Sequence, residues 1–317
     1  MNFPVSRAFE TSFEALSKEC AEALDIEHDL AKRDFNSLLK LDYFRLIDQK
    51  ILSDLVRVVA ARTVPCADVT LWVRQRRESR WYRDFAHVYE AVEQAALFLH
   101  TLGEARLVME SLSEGVQRYA AFWYQIDQLY RKFIYHVRKS GQASLMDGLQ
   151  EQIENLYSNA FLLKLSDRFQ ELVTAAPLWE ATPILRQDAF YGHWVQPFVS
   201  KENKVCVIIS DAMRYEIGEE LARRIRQEDR YTADIEPLLS MLPSYTQLGM
   251  AALLPRAPGQ ALEITANDTG TVLLGGQSTQ GLANRNKILE EALPGRATAC
   301  KADDLLTMKG EGCRALV

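Results

Sequence analysis

The stretch KVCVIISDAMRYEIGEELARRI, Lys204–Ile225, changes character at one point. An apolar run, Val205–Ser210, is followed at once by Asp211 and then by apolar residues spaced three and four apart. A short apolar run is typical of a buried strand in a parallel sheet, and the spacing after it predicts a helix over 215–227. The stretch therefore predicts a strand that presents a carboxylate at its carboxyl end, where open α/β sheets bind ligands.

Strands and helices are predicted to alternate through the rest of the chain. Further strands are expected over 233–238, 262–265, 272–274 and 297–301, and further helices over 247–254 and 283–292. The glycine-rich segment 270–281 lacks the spacing of a phosphate-binding loop and predicts only a strand and a turn. Alternation of this kind is typical of an α/β domain with a mostly parallel sheet, here over residues 204–317.

The chain before residue 177 has a different, wholly helical pattern. Apolar residues recur there at helical spacing in two stripes: Tyr119, Phe122, Trp123, Ile126, Leu129, Tyr130 and Phe133; and Leu149, Ile153, Leu156, Ala160 and Leu163. We expect roughly five to seven helices over residues 1–176, as an antiparallel bundle or an irregular array. Pro65, Gly103 and Gly141 are the expected breaks. Residues 177–203, rich in proline and aromatics, predict an ordered crossover.

Composition restricts the classes of protein that the chain can represent. The net charge of −6 argues against a general nucleic-acid-binding surface. The basic run 74–83 could still contact nucleic acid or a protein, or could form a solvated helix end, so direct nucleic-acid binding stays open. No apolar run approaches the roughly 20 residues that span a bilayer, and no leader pattern opens the chain. Five scattered cysteines without a CxxC pair predict a reducing, cytoplasmic compartment.

Four residues are candidates for a site at the carboxyl ends of the predicted strands. Asp211 would either cap the helix that follows it or bind a cation. In LSMLPSYTQLGMAALLP, Leu239–Pro255, Ser244 and Thr246 stand at a predicted helix start. Their hydroxyls would either cap that helix or, in its positive potential, act on a phosphate. Arg214 would either reach the same phosphate or remain a surface residue.

Two motifs resemble one known family. VIISDAMRYEIG and LPSYTQLGMAALLP resemble the PglZ domain of the alkaline phosphatase superfamily. The upstream segment ESRWYRDFAHVYEAVEQAALFLHTL is similar to the helical region that precedes this domain in PglZ proteins of bacterial BREX phage-defence systems. The resemblance implies a helical array followed by an alkaline-phosphatase-like α/β domain, acting with other BREX proteins through the helical region.

The resemblance also implies a chemistry and roles for single residues. The superfamily uses two divalent metals, usually zinc, to cleave phosphate esters as a phosphatase or phosphodiesterase. The family's metal-binding aspartate falls on Asp211, and its nucleophile, which also touches metal, falls on Thr246, with Ser244 the lesser candidate. Arg214 and Ser244 would contact the phosphate-containing substrate. Where the phosphodiesterase branch often has an asparagine after its threonine, this chain has Gln247.

The ligands for two metals are expected to be incomplete in this chain. A two-metal centre needs about six protein ligands, and none of the five histidines follows His193. We therefore expect an internal piece of a longer protein, with a truncated α/β domain that is catalytically inactive. The alternative function is a helical scaffold that docks partners within a defence complex and carries a silent phosphatase-like domain.

Overall fold

A computed structural model describes residues 7–257, 259–266 and 270–307 of the chain. The chain divides into two compact units. The first, helical unit comprises Met1–Met109 and Arg118–Glu171, and the second, mixed unit comprises Glu110–Gln117 and Leu172–Val317. Within the described ranges, no helix is both long enough and apolar enough to cross a membrane.

Nine α-helical segments occupy the described residues up to 175. They are α1 (Arg7–Ala23), α2 (Ile26–Ala31), α3 (Arg45–Ala60), α4 (Cys66–Arg76), α5 (Tyr82–Glu104), α6 (Leu112–Arg118), α7 (Tyr124–Ser140), α8 (Ala143–Asn155) and α9 (Leu163–Ala175). A 3-10 turn covers Phe35–Leu38, and π-helical turns cover Tyr119–Trp123 and Leu156–Leu162. The expected five to seven helices were too few, because α2 is short and π turns divide two longer helices.

Helix α5 is the centre of the helical unit and packs against α3, α4, α7 and α8. Its buried face includes Phe85, Val88, Val92 and Phe98, spaced as a helix in contact on one side requires. The breaks expected at Pro65 and Gly141 are confirmed, since Pro65 precedes α4 and Gly141 ends α7 with a positive φ of 64°. Gly103 lies inside the last turn of α5.

The second apolar stripe is confirmed only in its first half. Leu149 and Ile153 are buried on α8, but Leu163 is 52% exposed, and Tyr157 and Phe161 are buried instead. The π turn over 156–162 explains the change. Its i→i+5 hydrogen bonds underwind the helix, so the buried face moves by one residue relative to a regular α-helix.

A buried ion pair links three elements of the helical unit. Arg76 donates through Nη2 to Asp48 at 2.6 Å and through Nη1 to the carbonyls of Leu39 and Leu41, at 3.0 and 2.7 Å. Tyr89 donates to the same Asp48 carboxylate at 2.5 Å. Arg76 belongs to the basic run 74–83, and its guanidinium is therefore committed to the interior rather than to a nucleic-acid surface.

The mixed unit contains short helices and a small sheet. After a 3-10 turn (Gln187–Ala189) and a π turn (Tyr191–Val195) come α10 (Gln196–Val199), α11 (Tyr215–Arg226), α12 (Thr246–Ala252), β1 (Leu262–Ile264), β2 (Val272–Leu274), β3 (Gln277–Ser278), α13 (Gly281–Ala292) and α14 (Ala302–Thr307). The strands are antiparallel in the order β1-β2-β3, with Leu262 opposite Leu274 and Leu274 opposite Gln277. Gly275 and Gly276, both at positive φ, form the two-residue turn between β2 and β3.

The predicted helices of this unit are confirmed to within two residues at most ends, but the mostly parallel sheet is not formed in the described part of the chain. Residues 205–210 form no strand and are exposed, with Ile208 at 83%. Residues 233–238 and 297–301 likewise form no strand, and an isolated parallel bridge joins Arg186 to Leu239. A strand exists only when a neighbour accepts its backbone hydrogen bonds, and no described residues lie in that position.

The buried face of β2 anchors helix α12. Val272 packs with Leu248 and Ala251 of α12. Leu274 packs with Leu254, just beyond the end of α12, and with Ile288 of α13. Contacts on α12 and just beyond its end thus hold this helix against the sheet. They set the position of Thr246, its first residue.

Candidate functional site

Asp211 and Thr246 lie together, although 35 positions separate them in the sequence. The Thr246 hydroxyl donates a hydrogen bond to Asp211 Oδ2 at 3.1 Å. Both side chains are exposed to solvent. The structure therefore brings together the carboxylate and the hydroxyl that the two sequence motifs singled out.

Thr246 is the first residue of α12, and contacts around that helix fix its position. The Tyr245 hydroxyl donates to the carbonyl of Gly270 at 2.9 Å. Gln187 donates to the carbonyl of Gly249 at 3.2 Å and accepts from the Met241 amide at 3.3 Å. These bonds tie the segment before Thr246 and the middle of α12 to the crossover region.

Gln187 is the positioning residue that sequence reasoning missed. It lies in the crossover, 59 positions before Thr246, and no motif marks it. Its side-chain amide donates to the middle of α12 and accepts from Met241 in the segment that leads to α12, so one side chain links the two. The role of Gln187 could be predicted from the sequence only if the packing of the crossover beside α12 were already known.

Asp211 does not cap a helix. The helix after it begins at Tyr215, with Arg214 in the N-cap position and no side-chain cap bond there. Asp211 instead opens a turn whose next residue, Ala212, has a φ of +56°. A left-handed conformation is unfavourable for a residue with a Cβ atom, so the turn is held at some cost in strain. The cap alternative for Asp211 was wrong.

The hydroxyls at the start of α12 do not cap that helix either. Tyr245 is in its N-cap position and makes no side-chain cap bond, while the Thr246 hydroxyl points to Asp211. Ser244 is exposed two residues earlier. Arg214 follows Asp211 by three positions, and its Nε is 3.9 Å from the completely buried carboxylate of Glu216. The suggested roles of Ser244 and Arg214 in substrate binding stay predictions.

The pair offers two of the oxygen ligands that a divalent cation takes. Among the residues that the structure describes, no three histidine, cysteine, aspartate or glutamate side chains converge as a metal site. Catalytic zinc sites take three protein ligands each, a number that Asp211 and Thr246 alone do not reach. The pair positions a hydroxyl beside a carboxylate that can accept its hydrogen bond.

A second polar feature of the mixed unit is a cleft of about 520 Å³. Asp188, Arg256, Tyr191 and His193 are among the residues that line it. Burial opposes ionisation of Asp188, but its hydrogen bonds with Arg186 and the charges of Arg186 and Arg256 outweigh that effect and lower its pKa. Asp188 is thus an ionised group held between two arginines. His193 is exposed, and its ring lies edge-on to that of Trp194 with centroids 4.4 Å apart.

The C-terminal part of the chain matches one family model. Residues 190–317 match the BREX system PglZ alkaline phosphatase-like domain. This range contains Asp211, Thr246 and the elements that position them. The match thus lies within the mixed unit and makes it similar to alkaline phosphatase-like domains.

Two curated proteins extend the match into the helical unit. The chain is 28% identical over 311 residues to "Alkaline phosphatase-like protein PglZ" of Bacillus cereus (strain H3081.97), covering 97% of this chain and 36% of that protein. It is 35% identical over 263 residues to "Alkaline phosphatase-like protein BrxZ" of Escherichia coli O9:H4 (strain HS), covering 77% of this chain and 29% of that protein. No solved structure gives a significant match. The chain is therefore similar to PglZ-domain proteins over most of its length, and it spans about a third of the length of these relatives.

Proposed function

We propose that Thr246 is the nucleophile of a phosphate-ester-cleaving site in the PglZ-domain proteins to which this chain is similar, and that Asp211 orients it. The observation that carries the proposal is the 3.1 Å hydrogen bond from the Thr246 hydroxyl to Asp211. A carboxylate that accepts this hydrogen bond fixes the hydroxyl rotamer and aims an oxygen lone pair away from itself. The exposure of both side chains leaves room for a phosphate group in front of that lone pair.

The proposed step forms a bond between Thr246 Oγ1 and phosphorus and breaks the bond from phosphorus to the ester oxygen. The proton of the hydroxyl passes toward Asp211, and the leaving alcohol is protonated by water. Hydrolysis of the phosphothreonine would then restore the hydroxyl. Ser244 and Arg214 are proposed to contact the phosphate oxygens, since hydroxyl and guanidinium groups are suited to that role.

Metal dependence is proposed for the longer proteins of the family, with Asp211 and Thr246 as two of the ligands and zinc as the cation. A divalent cation would lower the pKa of a bound hydroxyl and stabilise the leaving oxygen. Because no group of three histidine, cysteine, aspartate or glutamate side chains that could hold a metal occurs among the described residues, the 317-residue chain alone is proposed to be inactive on phosphate esters. We propose that it works in the cytoplasm beside other BREX proteins.

The test uses the longer natural protein and the 317-residue chain side by side. Hydrolysis of p-nitrophenyl phosphate and of bis-p-nitrophenyl phosphate is measured with zinc, manganese and magnesium. In the longer protein, Thr246→Val and Asp211→Asn should each lower turnover at least a hundredfold, because the substitutions remove the attacking oxygen and its acceptor. Thr246→Ser should retain part of the activity, and Thr307→Val, an exposed threonine of α14, should retain all of it. Full activity of Thr246→Val would refute the assignment.

The alternative function, a partner-docking scaffold, is favoured by one observation on the helical unit. Leu162 and Leu163 are 39% and 52% exposed at the junction of the π turn and α9, where the underwound helix turns apolar side chains outward. Under this alternative the 317-residue chain binds another BREX protein through the helical unit. Co-purification with the other BREX components should then be lost when both leucines are replaced by glutamate, while the far-ultraviolet circular dichroism stays unchanged. Retention of every partner by that variant would exclude this surface.

A further inference from the structure

Two histidines from different helices meet in the helical unit. His87 of α5 and His136 of α7 bring their Nδ1 atoms to 2.9 Å, with ring centroids 5.2 Å apart. Both rings are half-buried, and Tyr135 packs edge-on against each. Since α5 and α7 pack together extensively, the backbone holds the two imidazoles in place.

The separation of the two nitrogens is that of neighbouring ligands on one cation. Imidazole nitrogens bind zinc-like cations at about 2.0–2.1 Å, and two such bonds at a right angle place the nitrogens about 2.9 Å apart. A tetrahedral angle would require about 3.3 Å, so the observed spacing favours the tetragonal geometry of Ni²⁺ or Cu²⁺ over that of Zn²⁺.

We propose that His87 and His136 form a two-histidine site for a divalent transition-metal ion, with Ni²⁺ and Cu²⁺ preferred. The site is built as metal sites in helix bundles are, from side chains of facing helices. No third histidine, cysteine, aspartate or glutamate joins them among the described residues, so water completes the coordination. The partial exposure of both rings gives water that access.

The surroundings are compatible with neutral imidazoles and a bound cation. Burial, the largest effect, and the neighbouring His87 and Lys132 lower the pKa of His136, while the charge of Glu90 opposes them. A neutral ring offers the lone pair that a metal requires. Without metal, one Nδ1–H is donated to the other Nδ1, which requires that at least one of the two rings be neutral. Metal binding would replace that shared proton with a shared cation.

Isothermal titration calorimetry of the untagged 317-residue chain with Ni²⁺ at about pH 7.5 tests the site. The expected result is one ion per chain, with affinity at least tenfold lower in His87→Gln and in His136→Gln. His100→Gln is the matched control, because His100 is an exposed histidine on the same helix, and it should bind as the parent chain does. Absence of one-to-one binding, or affinity unaffected by both substitutions, would overturn the proposal.

A spectroscopic measurement on the unsubstituted chain removes any dependence on how the variants fold. The electron paramagnetic resonance spectrum of one equivalent of Cu²⁺ should be tetragonal, with hyperfine structure from two imidazole nitrogens. Coordination by oxygen alone would overturn the site. The proposal concerns the helical unit and is independent of the Thr246 site. The phosphate-ester activity of the longer natural protein should therefore not respond to either histidine substitution.

Discussion

Replacement of Asp48 by alanine should destabilise the helical unit severely. Asp48 is completely buried and accepts hydrogen bonds from Arg76 Nε at 3.2 Å, Arg76 Nη2 at 2.6 Å and Tyr89 at 2.5 Å. Removing one partner of a buried ion pair costs about 3–5 kcal/mol, because the other charge stays buried without compensation. Here the carbonyls of Leu39 and Leu41 still satisfy Arg76 Nη1, which favours the lower part of that range.

The hydroxyl of Tyr89 adds a second contribution. Burial, followed by the charge of Asp48, raises the pKa of Tyr89, so the phenol is a neutral donor that points at the carboxylate. Losing its acceptor leaves a buried donor unsatisfied, which costs about 1–3 kcal/mol. The two contributions overlap at one site, so the expected loss in the free energy of unfolding is about 4 kcal/mol, a large part of the stability of an ordinary domain.

Urea unfolding followed by far-ultraviolet circular dichroism measures this loss, since most of the helices lie in this unit. Asp84→Ala is the matched control: it also removes an arginine–aspartate pair, with Arg45 at 3.0 Å, but both side chains are nearly half exposed, and the expected cost is below about 1 kcal/mol. Combining Asp48→Ala with Arg76→Met should cost less than Asp48→Ala alone, because no charge is left buried. A loss for Asp48→Ala no greater than that for Asp84→Ala, or a double variant equal to the sum of the two singles, would refute the reasoning.

Four further substitutions and a change of pH should alter stability in directions that the same unfolding experiment measures. Gly148→Ala, inside α8 with nothing within 4 Å of the new Cβ, should stabilise by about 0.5–1 kcal/mol, whereas Gly141→Ala, at φ +64°, should destabilise by about 1 kcal/mol. Tyr157→Phe removes a 2.6 Å hydrogen bond to the buried Asp127 and should cost about 1–3 kcal/mol; no change would contradict it. The pKa of His136 is lower in the folded chain than in the unfolded chain, so the unfolded chain binds more protons as pH falls through about 6.5. The free energy of unfolding should therefore fall as pH falls from about 7 to 5. His136→Gln should flatten that dependence.

The juxtaposition of Asp211 and Thr246 could be predicted because both residues follow from local rules. Each stands where an apolar run ends and a helix is about to begin, and both helices, α11 and α12, formed where apolar spacing predicted them. The hydrogen bond between them requires only that these two ends meet. Resemblance to a known family supplied the suggested roles, and the geometry is consistent with them.

Other features of the fold and of the site depend on long-range contacts or on local helix geometry that apolar spacing does not indicate. The π turn at 156–162 moved burial from Leu163 to Phe161, and no apolar spacing indicates where a helix will underwind. The run 205–210 has the composition of a central strand, but composition does not state which residues would pair with it. The partners of Asp48 and of Gln187 lie 28 or more positions away, so only the folded chain identifies them.

The exposed run 205–210 has a consequence for the accuracy with which Asp211 can be placed. Asp211 follows that run directly, so any strand that pairs with it will also set where the carboxylate stands. A slip of one residue in such pairing would move Asp211 by about 3.3 Å along the strand and turn Ile208 to the opposite face. That displacement exceeds the 3.1 Å that now joins Asp211 to Thr246. The register of residues 205–210 therefore also determines how Asp211 is aligned with the proposed nucleophile, Thr246.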